Sequence, residues 1–204
     1  MNILLMNGLP EEYEGIPISA DFRNMIQVDL ILHDTDTSET EKTIAALYQL
    51  YPQIPKDTHK AVEGLVWFYT RGNVPSVGKD APASKAPKKA FNFEQDASLI
   101  YAAFYATYGI SLTTVDFLHW WEFMALFEGL PETTLIQRVM YWRTADVAGM
   151  PKAEKNHVLK MRKIFALKET DKPPLNVDDL NQKTKDRVAR RFAEAQAAVK
   201  NKYK

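Results

Sequence analysis

The 204-residue chain contains no cysteine, and this absence excludes several kinds of chemistry. Without a thiol, the protein forms no disulfide framework and no thiolate zinc site, and it has neither an iron–sulfur cluster nor a cysteine nucleophile. A reducing compartment suits such a chain. The sequence therefore does not favour a disulfide-stapled secreted domain or a thiol enzyme.

Glycine-rich motifs and long apolar runs are also lacking. The eight glycines are scattered, and neither the dinucleotide-binding pattern nor a phosphate-binding loop occurs, so nucleotide-dependent chemistry is not expected. Residues 1–5 lack the basic region and apolar run of a signal peptide, and no stretch approaches the roughly 18 charge-free apolar residues of a membrane span. We therefore expect a soluble, cytoplasmic protein without membrane contact.

Neither sign of charge is in excess, because 26 basic side chains balance 26 acidic ones. A net charge of zero leaves no global field that would steer the chain to nucleic acid or to a membrane. Apolar residues make up 46% of the chain and charged residues 25%, which is ordinary for a globular protein. The length predicts one compact domain with an added arm or linker.

The beginning of the chain predicts a short β-hairpin and then a helix. Turn formers at Asn7-Gly8 and Glu14-Gly15, within short apolar runs that contain Ile and Leu, are typical of a hairpin. Ser19 is placed to cap a first helix of about 14 residues that ends near Asp34.

Two further helices are predicted before residue 74. Ser38 and Glu41 form a capping box at the start of one, and Asp57 caps the other. The apolar stripe of the first is Ile44, Leu47, Tyr48 and Tyr51, and that of the second is Val62, Leu65, Val66 and Tyr69.

Four more helices are predicted after residue 90. Asn92 caps a helix from Phe93 to Tyr108, and Gly109 supplies its left-handed exit. Thr113 or Thr114 opens the next helix, which ends at Gly129. Apolar spacing marks the last two, one through Leu135, Ile136, Val139 and Met140 and the other through Val158, Met161 and Phe165.

These patterns predict an all-α fold, namely a multi-helix bundle with a small N-terminal β-hairpin and a protruding C-terminal helix. Residues 1–18 form the β appendage, and residues 19–167 form the bundle. Residues 74–90 are rich in proline, alanine and lysine without an apolar period, and we expect a mobile loop there. Residues 168–204 are expected to form a linker and a basic amphipathic helix.

Catalytic and metal-binding patterns are missing from the sequence. The four histidines lie far apart, and His119 has an acidic residue one helical turn away, at Glu122. Two candidate ligands do not define a metal site, and we expect the pair to satisfy buried polar groups instead. No Gly-x-Ser-x-Gly nucleophile elbow occurs. We expect a non-enzymatic protein that binds no metal and no cofactor.

The densest apolar segment runs from Val115 to Phe127, and its large side chains point around nearly the whole circumference of a helix. One interpretation is that it forms the central helix of the bundle. The other is that part of its surface meets a protein partner through aromatic anchors. The sequence leaves both interpretations open.

Several segments in a fixed order carry a resemblance to a phage family. The most specific is Leu118-His119-Trp120-Trp121, and the others are Leu65–Tyr69, Phe91–Asp96, Ile100–Phe104, Tyr108–Leu112 and Met140–Thr144. Between Phe22 and Leu167 the chain resembles the gene-product-fifteen-like family of siphophages, which is encoded between the major tail protein and the tape measure protein. The stretch from Lys168 onward has no counterpart in the resemblance.

The resemblance implies that the protein acts by binding other proteins, as a tail assembly chaperone. Such a chaperone keeps the long helical tape measure protein soluble until tail subunits polymerise around it. The tape measure protein is then the expected partner, with the major tail protein as a second one. The chaperone would act in the host cell cytoplasm and be absent from the mature virion. The expected aromatic anchors are Trp67, Tyr101, Trp120, Trp121 and Trp142.

The C-terminal arm supports an alternative, a structural or nucleic-acid-binding phage protein. Residues 182–204 carry eight basic and two acidic side chains, and a basic amphipathic helix can follow a nucleic-acid backbone. Apolar residues spaced four, three and four apart also fit a short coiled coil, which would give self-association. A solvated helix is the third interpretation. The basic contacts would come from Lys183, Lys185, Arg187, Arg190 and Arg191.

Overall fold

The computed structural model describes residues 8–73 and 88–168, together with Gln182. These residues form seven α-helices and one two-stranded antiparallel sheet, so the mainly helical fold with an N-terminal hairpin is confirmed. Most of the predicted loop, residues 74–87, lies outside the described residues. The same is true of the predicted C-terminal helix and its linker, apart from Lys168 and Gln182.

Tertiary contacts divide the described residues into two compact units. The first holds residues 8–73 together with His119–Trp121, and the second holds residues 88–118 and 122–168. No helix among these residues has both the length and the apolar character needed to cross a membrane.

The hairpin of the first unit pairs β1 (Glu12–Tyr13) with β2 (Ile16–Pro17). The two residues between the strands, Glu14 and Gly15, both have positive φ angles, of 48° and 77°. Two consecutive left-handed residues match the twist of a two-residue hairpin turn. The predicted turn at this dipeptide is therefore confirmed.

Helix α1 (Phe22–Leu32) starts two residues later than a cap at Ser19 predicts. Its N-cap is Asp21, whose side chain accepts the Arg23 backbone N–H at 2.9 Å. The backbone N–H of Ser19 instead donates to the Leu50 carbonyl at 2.6 Å, so this residue is held in an extended segment. The prediction was wrong because a long-range hydrogen bond outweighs the local capping preference.

The caps of α2 (Glu39–Leu50) and α3 (Thr58–Tyr69) are confirmed. Ser38 and Glu41 form the complete capping box, and the Asp57 side chain accepts the Lys60 backbone N–H at 3.1 Å. The hydrogen bonds to Ser38 hold the pKa of the Glu41 carboxyl below its usual value. Both signals are local, which explains why the sequence alone reveals them.

The predicted apolar stripes are partly wrong. Ile44 on α2 and Val66 on α3 are exposed, whereas the small residues Ala45, Ala46 and Ala61 are fully buried. The helices therefore pack more closely than a stripe of large residues would allow. At Gly64 an added Cβ would lie 2.7 Å from Cδ1 of Tyr13 and closer still to the Tyr51 hydroxyl, so only glycine fits there.

The second unit contains α4 (Ala97–Tyr108), most of α5 (Trp120–Glu128), α6 (Leu135–Thr144) and α7 (Lys152–Ile164). The predicted exit of α4 is confirmed, since Gly109 has a φ of 69°. The predicted starts of α4 and α5 were wrong. The Asn92 side chain does accept the Glu94 and Gln95 backbone N–H groups, but it holds a turn that precedes the helix.

A buried ion pair fixes the second unit. The Arg143 guanidinium donates to both carboxylate oxygens of Asp96, at 2.6 and 2.9 Å, and both side chains are nearly inaccessible. It also donates to the carbonyl of Phe165 at 2.8 Å and to that of Ala90 at 3.0 Å. One side chain of α6 thus joins the segment before α4 to the end of α7.

The guanidinium of Arg162 on α7 caps the C-terminal end of α6. Its Nε donates to the Trp142 carbonyl at 2.7 Å, and its Nη2 donates to the Ala145 carbonyl at 2.6 Å. The last carbonyls of a helix lack intrahelical partners, so these bonds satisfy groups that burial would otherwise penalise. Beneath them, Trp142 packs with Val139 and Val158.

Replacing Asp96 with alanine is expected to lower the free energy of unfolding by about 3–5 kcal/mol, because Arg143 would remain buried without its counter-charge. Urea unfolding followed by circular dichroism measures the change. The matched control, Glu14→Ala, breaks the exposed pair with Lys60 and should leave stability nearly unchanged. Equal small effects of the two substitutions would contradict the assigned role.

Stability is expected to fall at alkaline pH because of Tyr51. Its hydroxyl donates to the Ala61 carbonyl at 3.1 Å, and burial raises its pKa to about 12. The folded pKa lies above the ordinary value of 10.0, so this contribution is complete below pH 10 and is lost as the pH rises toward about 12. Thermal unfolding across this window should show a shallower loss for Tyr51→Phe, whereas Tyr141→Phe, on the surface, should follow the wild type.

Candidate partner-binding surface

His119 is held by both ring nitrogens and by its backbone. It forms an isolated antiparallel bridge with Asp21, and its side chain is buried. Nδ1 accepts the Trp121 backbone N–H at 3.0 Å, so the ring proton is on Nε2, which donates to the Pro10 carbonyl at 2.9 Å. The ring therefore caps the start of α5. This explains why α5 begins at Trp120 and not near Thr113 or Thr114.

No metal role follows from the predicted His119 and Glu122 pair. His119 satisfies buried polar groups as expected, but Glu122 is exposed and does not share that role. Within residues 8–73 and 88–168, no group of three or more possible ligands is close enough to hold a metal ion.

The side chains of Trp120 and Trp121 supply hydrogen-bond donors to the C-terminal end of α3. The indole N–H of Trp121 donates to the Phe68 carbonyl at 3.0 Å, and that of Trp120 donates to the Tyr69 carbonyl at 3.2 Å. These carbonyls belong to the last turn of α3 and have no partner within the helix. Each indole also stacks on the ring next to it, Trp121 on Phe68 and Trp120 on Tyr69.

Tyr69 is itself anchored beneath Trp120. Its hydroxyl donates to the buried carboxylate of Asp29 at 2.6 Å. Burial, followed by the charge of Asp29 and this hydrogen bond, raises the pKa of the Tyr69 phenol far above its ordinary value. The neutral phenol thus connects α3 to α1, and the indole of Trp120 covers the connection.

Three of the five predicted anchors are unavailable at the surface. Trp120 and Trp121 are 3% exposed and Trp142 is 4% exposed. Trp142 stacks on Phe165 at 5.5 Å, and the Arg138 guanidinium covers its ring at 5.0 Å. These tryptophans belong to the core because their large rings and single donors fill and satisfy it. In this conformation they cannot serve as partner anchors.

The other two predicted anchors are partly accessible and lie in different units. Trp67 is half-buried and contacts the rings of Tyr13 at 5.1 Å and Trp121 at 5.3 Å. Tyr101 on α4 is also half-buried, and it stacks on Tyr105 with ring centroids 6.2 Å apart and an interplanar angle of 9°. Their role in binding a partner stays a prediction.

The outer face of α4 is the surface that sequence reasoning missed. Tyr105 is 59% exposed, and its neighbours on this face are small and uncharged. They are Ala97, Ser98, Ala102 and Ala106. This set, with Tyr101 and Tyr105, is called the tyrosine face below.

A signal for the tyrosine face was present in the sequence. No charged residue occurs between Asp96 and Asp116, although half of α4 faces solvent. Surface helices normally carry charge on their solvent side, and interface centres are depleted in charge and enriched in tyrosine. The absence of charge, and not the density of tryptophan, marks the candidate binding surface.

The dense apolar segment 115–127 is mostly covered, as its interpretation as a core helix requires. Within the second unit, Phe123 stacks on Phe104 at 5.0 Å, and Phe127 meets Phe91 at 4.9 Å. Phe123 and Phe127 are both fully buried.

The predicted basic contacts of the C-terminal arm cannot be placed. Lys183, Lys185, Arg187, Arg190 and Arg191 lie outside the described residues. Their role in nucleic-acid binding or self-association stays a prediction.

Trp121→Phe is expected to lower the free energy of unfolding by about 1–2 kcal/mol, because the Phe68 carbonyl loses the buried indole donor and retains the backbone N–H of Arg71 at 3.2 Å. Tyr105→Ala should change it by less than about 0.5 kcal/mol, since this side chain is largely in solvent. Urea titrations of the two variants, followed by tryptophan fluorescence and circular dichroism, give the comparison. The opposite ranking would contradict the assignment of Trp121 to the core and Tyr105 to the surface.

Comparison with known proteins gives one match. The family described as Bacteriophage Gp15 protein matches residues 5–167, and the match includes every described helix. No curated protein and no solved structure matches the chain.

Proposed function

The chain belongs to the Bacteriophage Gp15 protein family, and from this membership we propose that it is a tail assembly chaperone. In this proposal it binds the tape measure protein and keeps it soluble while the tail tube assembles. It acts by binding and not by catalysis, in the host cell cytoplasm, and it leaves before the virion is complete. The major tail protein is the second proposed partner.

The tyrosine face of α4 is the observation that carries the proposal. A chaperone for a long helical protein needs a surface that covers apolar helix faces, and one helix can lie along another in this way. Stacked tyrosines provide a large contact area with little conformational entropy to lose. The small residues around them let a partner helix approach closely, and the lack of charge avoids burying an unpaired ion.

The same surface suits a contact that must later be released. Tyr105 and Tyr101 are the only large side chains of the tyrosine face, and the rest of it is alanine and serine. Binding energy concentrates in a few aromatic residues, so a face with two of them favours moderate affinity. Polymerising tail subunits could then displace the chaperone.

Co-expression with the tape measure protein encoded in the same genome tests the proposal. The tape measure protein should stay soluble and co-elute in size exclusion only when this chain is present. The variant Ala102→Glu/Tyr105→Glu should weaken the complex by at least about tenfold, because two carboxylates would be buried against an apolar helix. The control Thr133→Glu/Leu135→Glu adds the same charge to exposed positions outside the tyrosine face.

Each outcome of this experiment bears on the proposal. A soluble complex that the α4 variant disrupts and the control preserves would support it. If neither variant weakened the soluble complex, the chaperone activity would be supported, but the tyrosine face would be excluded as the binding surface. An insoluble tape measure protein, with this chain eluting alone, would refute the chaperone activity and favour the nucleic-acid alternative. Salt-dependent DNA binding by the basic arm would then be measured.

A further inference from the structure

The exposed side of α7 forms a second surface, with a character opposite to that of α4. Lys155, Leu159 and Lys163 follow one another at four-residue intervals and therefore lie in one column along the helix. Lys152 and Lys160 lie beside this column, and all four lysines are exposed. Only Val158 of the whole helix is buried. These lysines and Leu159, with Ile164 one turn beyond Lys160, are called the lysine face.

The charge of the lysine face is not neutralised within the described residues. No described carboxylate forms an ion pair with Lys152, Lys155, Lys160 or Lys163. The single acidic residue of α7, Glu154, lies on the opposite side of the helix at 100° per residue. The guanidinium of Arg162 is occupied by the carbonyls at the end of α6. The face therefore presents four cations to solvent.

Aliphatic side chains interrupt the lysines. Leu159 is 41% exposed and Ile164 is 60% exposed, and no phenylalanine, tyrosine or tryptophan lies among them. Surfaces that bind single-stranded nucleic acid combine cations with exposed aromatic rings for base stacking. Contacts to a duplex backbone need cations but gain little from leucine or isoleucine. An acidic protein surface with apolar residues of its own matches this face better.

The first unit carries such a surface. Residues 8–73 hold 11 acidic and five basic side chains, and this acidic excess balances the basic excess of the rest of the chain. The segment between α1 and α2 carries Asp34 and Asp36, and Glu41 follows in the first turn of α2; no described cation forms an ion pair with Asp36 or Glu41. Leu32 and Ile44, on either side of this segment in sequence, are both exposed.

We propose that the lysine face of α7 binds the acidic α1–α2 segment of a second copy of the chain. Each surface pairs two exposed aliphatic residues with charge of one sign, and the signs are opposite. A contact between two different surfaces of identical subunits is heterologous, so it generates a ring or an open chain of subunits and not a closed two-fold dimer. This inference does not depend on binding to the tape measure protein.

Sedimentation velocity on the full chain tests the association. The average mass should rise with protein concentration at about 50 mM NaCl and return to that of the monomer at about 500 mM, because the Debye length falls severalfold. Lys155→Glu/Lys163→Glu should weaken the association by at least about tenfold, since each substitution replaces attraction with repulsion. The matched control, Lys88→Glu/Lys89→Glu, makes the same charge change at exposed lysines that are not part of α7.

The reciprocal variant identifies the second surface. Asp36→Lys/Thr40→Lys replaces one carboxylate and one neutral side chain with lysines at two exposed positions and leaves the capping box of Ser38 and Glu41 intact. Alone, this variant should also remain monomeric at low salt. Mixed with Lys155→Glu/Lys163→Glu, it should form a complex of two chains with an affinity close to that of the wild type. Only a direct contact between the two surfaces predicts this rescue.

Several results would overturn the proposal. The proposal is wrong if the wild-type protein stays monomeric at low salt and high concentration. It is also wrong if Lys155→Glu/Lys163→Glu associates as strongly as the wild type. Self-association of Asp36→Lys/Thr40→Lys alone, as strong as that of the wild type, would show that α7 contacts another surface. Duplex DNA binding that depends on Lys155 and Lys163, without self-association, would assign the face to nucleic acid instead. The circular dichroism spectrum of each variant should match that of the wild type, which would show that misfolding does not cause the loss of association.

Discussion

A buried guanidinium joined to a buried carboxylate organises the second unit. Arg143 connects Asp96, just before α4, to the carbonyl of Phe165 just after α7, and every one of these bonds is shielded from water. A pair of this kind contributes less through its own attraction than through the cost of breaking it. The two surfaces proposed for binding lie on α4 and α7, so their presentation within this unit depends on a residue that neither surface contains.

The first unit is organised by hydrogen-bond donors that satisfy the carbonyls at the C-terminal end of α3. The two indoles at the start of α5 supply hydrogen bonds to the last carbonyls of α3, and the ring of His119 caps their own helix. The Leu-His-Trp-Trp sequence is therefore explained by structure alone, because each polar atom described in it has a backbone partner. In this chain the most conspicuous aromatic residues build the framework. The proposed binding surface is made of tyrosine and alanine, which attract less notice.

The sequence predicts the fold wherever the signal is local. The capping box at Ser38, the cap at Asp57 and the left-handed Gly109 depend on residues within four positions, and all three are correct. The predicted start of α1 was wrong because a distant group, the Leu50 carbonyl that accepts from Ser19, decides it. Helix α4 starts later than predicted because Asn92 holds a turn before it, and α5 because it is capped by the His119 ring, which the distant Pro10 carbonyl fixes. The tyrosine face was predictable in part. The charge-free run of 97–115 is visible in the sequence, but which side of α4 meets solvent depends on packing that no local pattern encodes.

The uncharged character of α4 also determines how the molecule responds to chemical probes. From Ala90 to Gln137 the chain has no lysine and no arginine, so this whole stretch, including α4 and α5, offers trypsin no cleavage site and amine-reactive cross-linkers no target. The lysines of α7 would dominate any cross-linking map of an assembly. A partner lying on α4 would leave no trace in such a map, whereas chymotrypsin, which cleaves after tyrosine, would report its presence through protection of Tyr105.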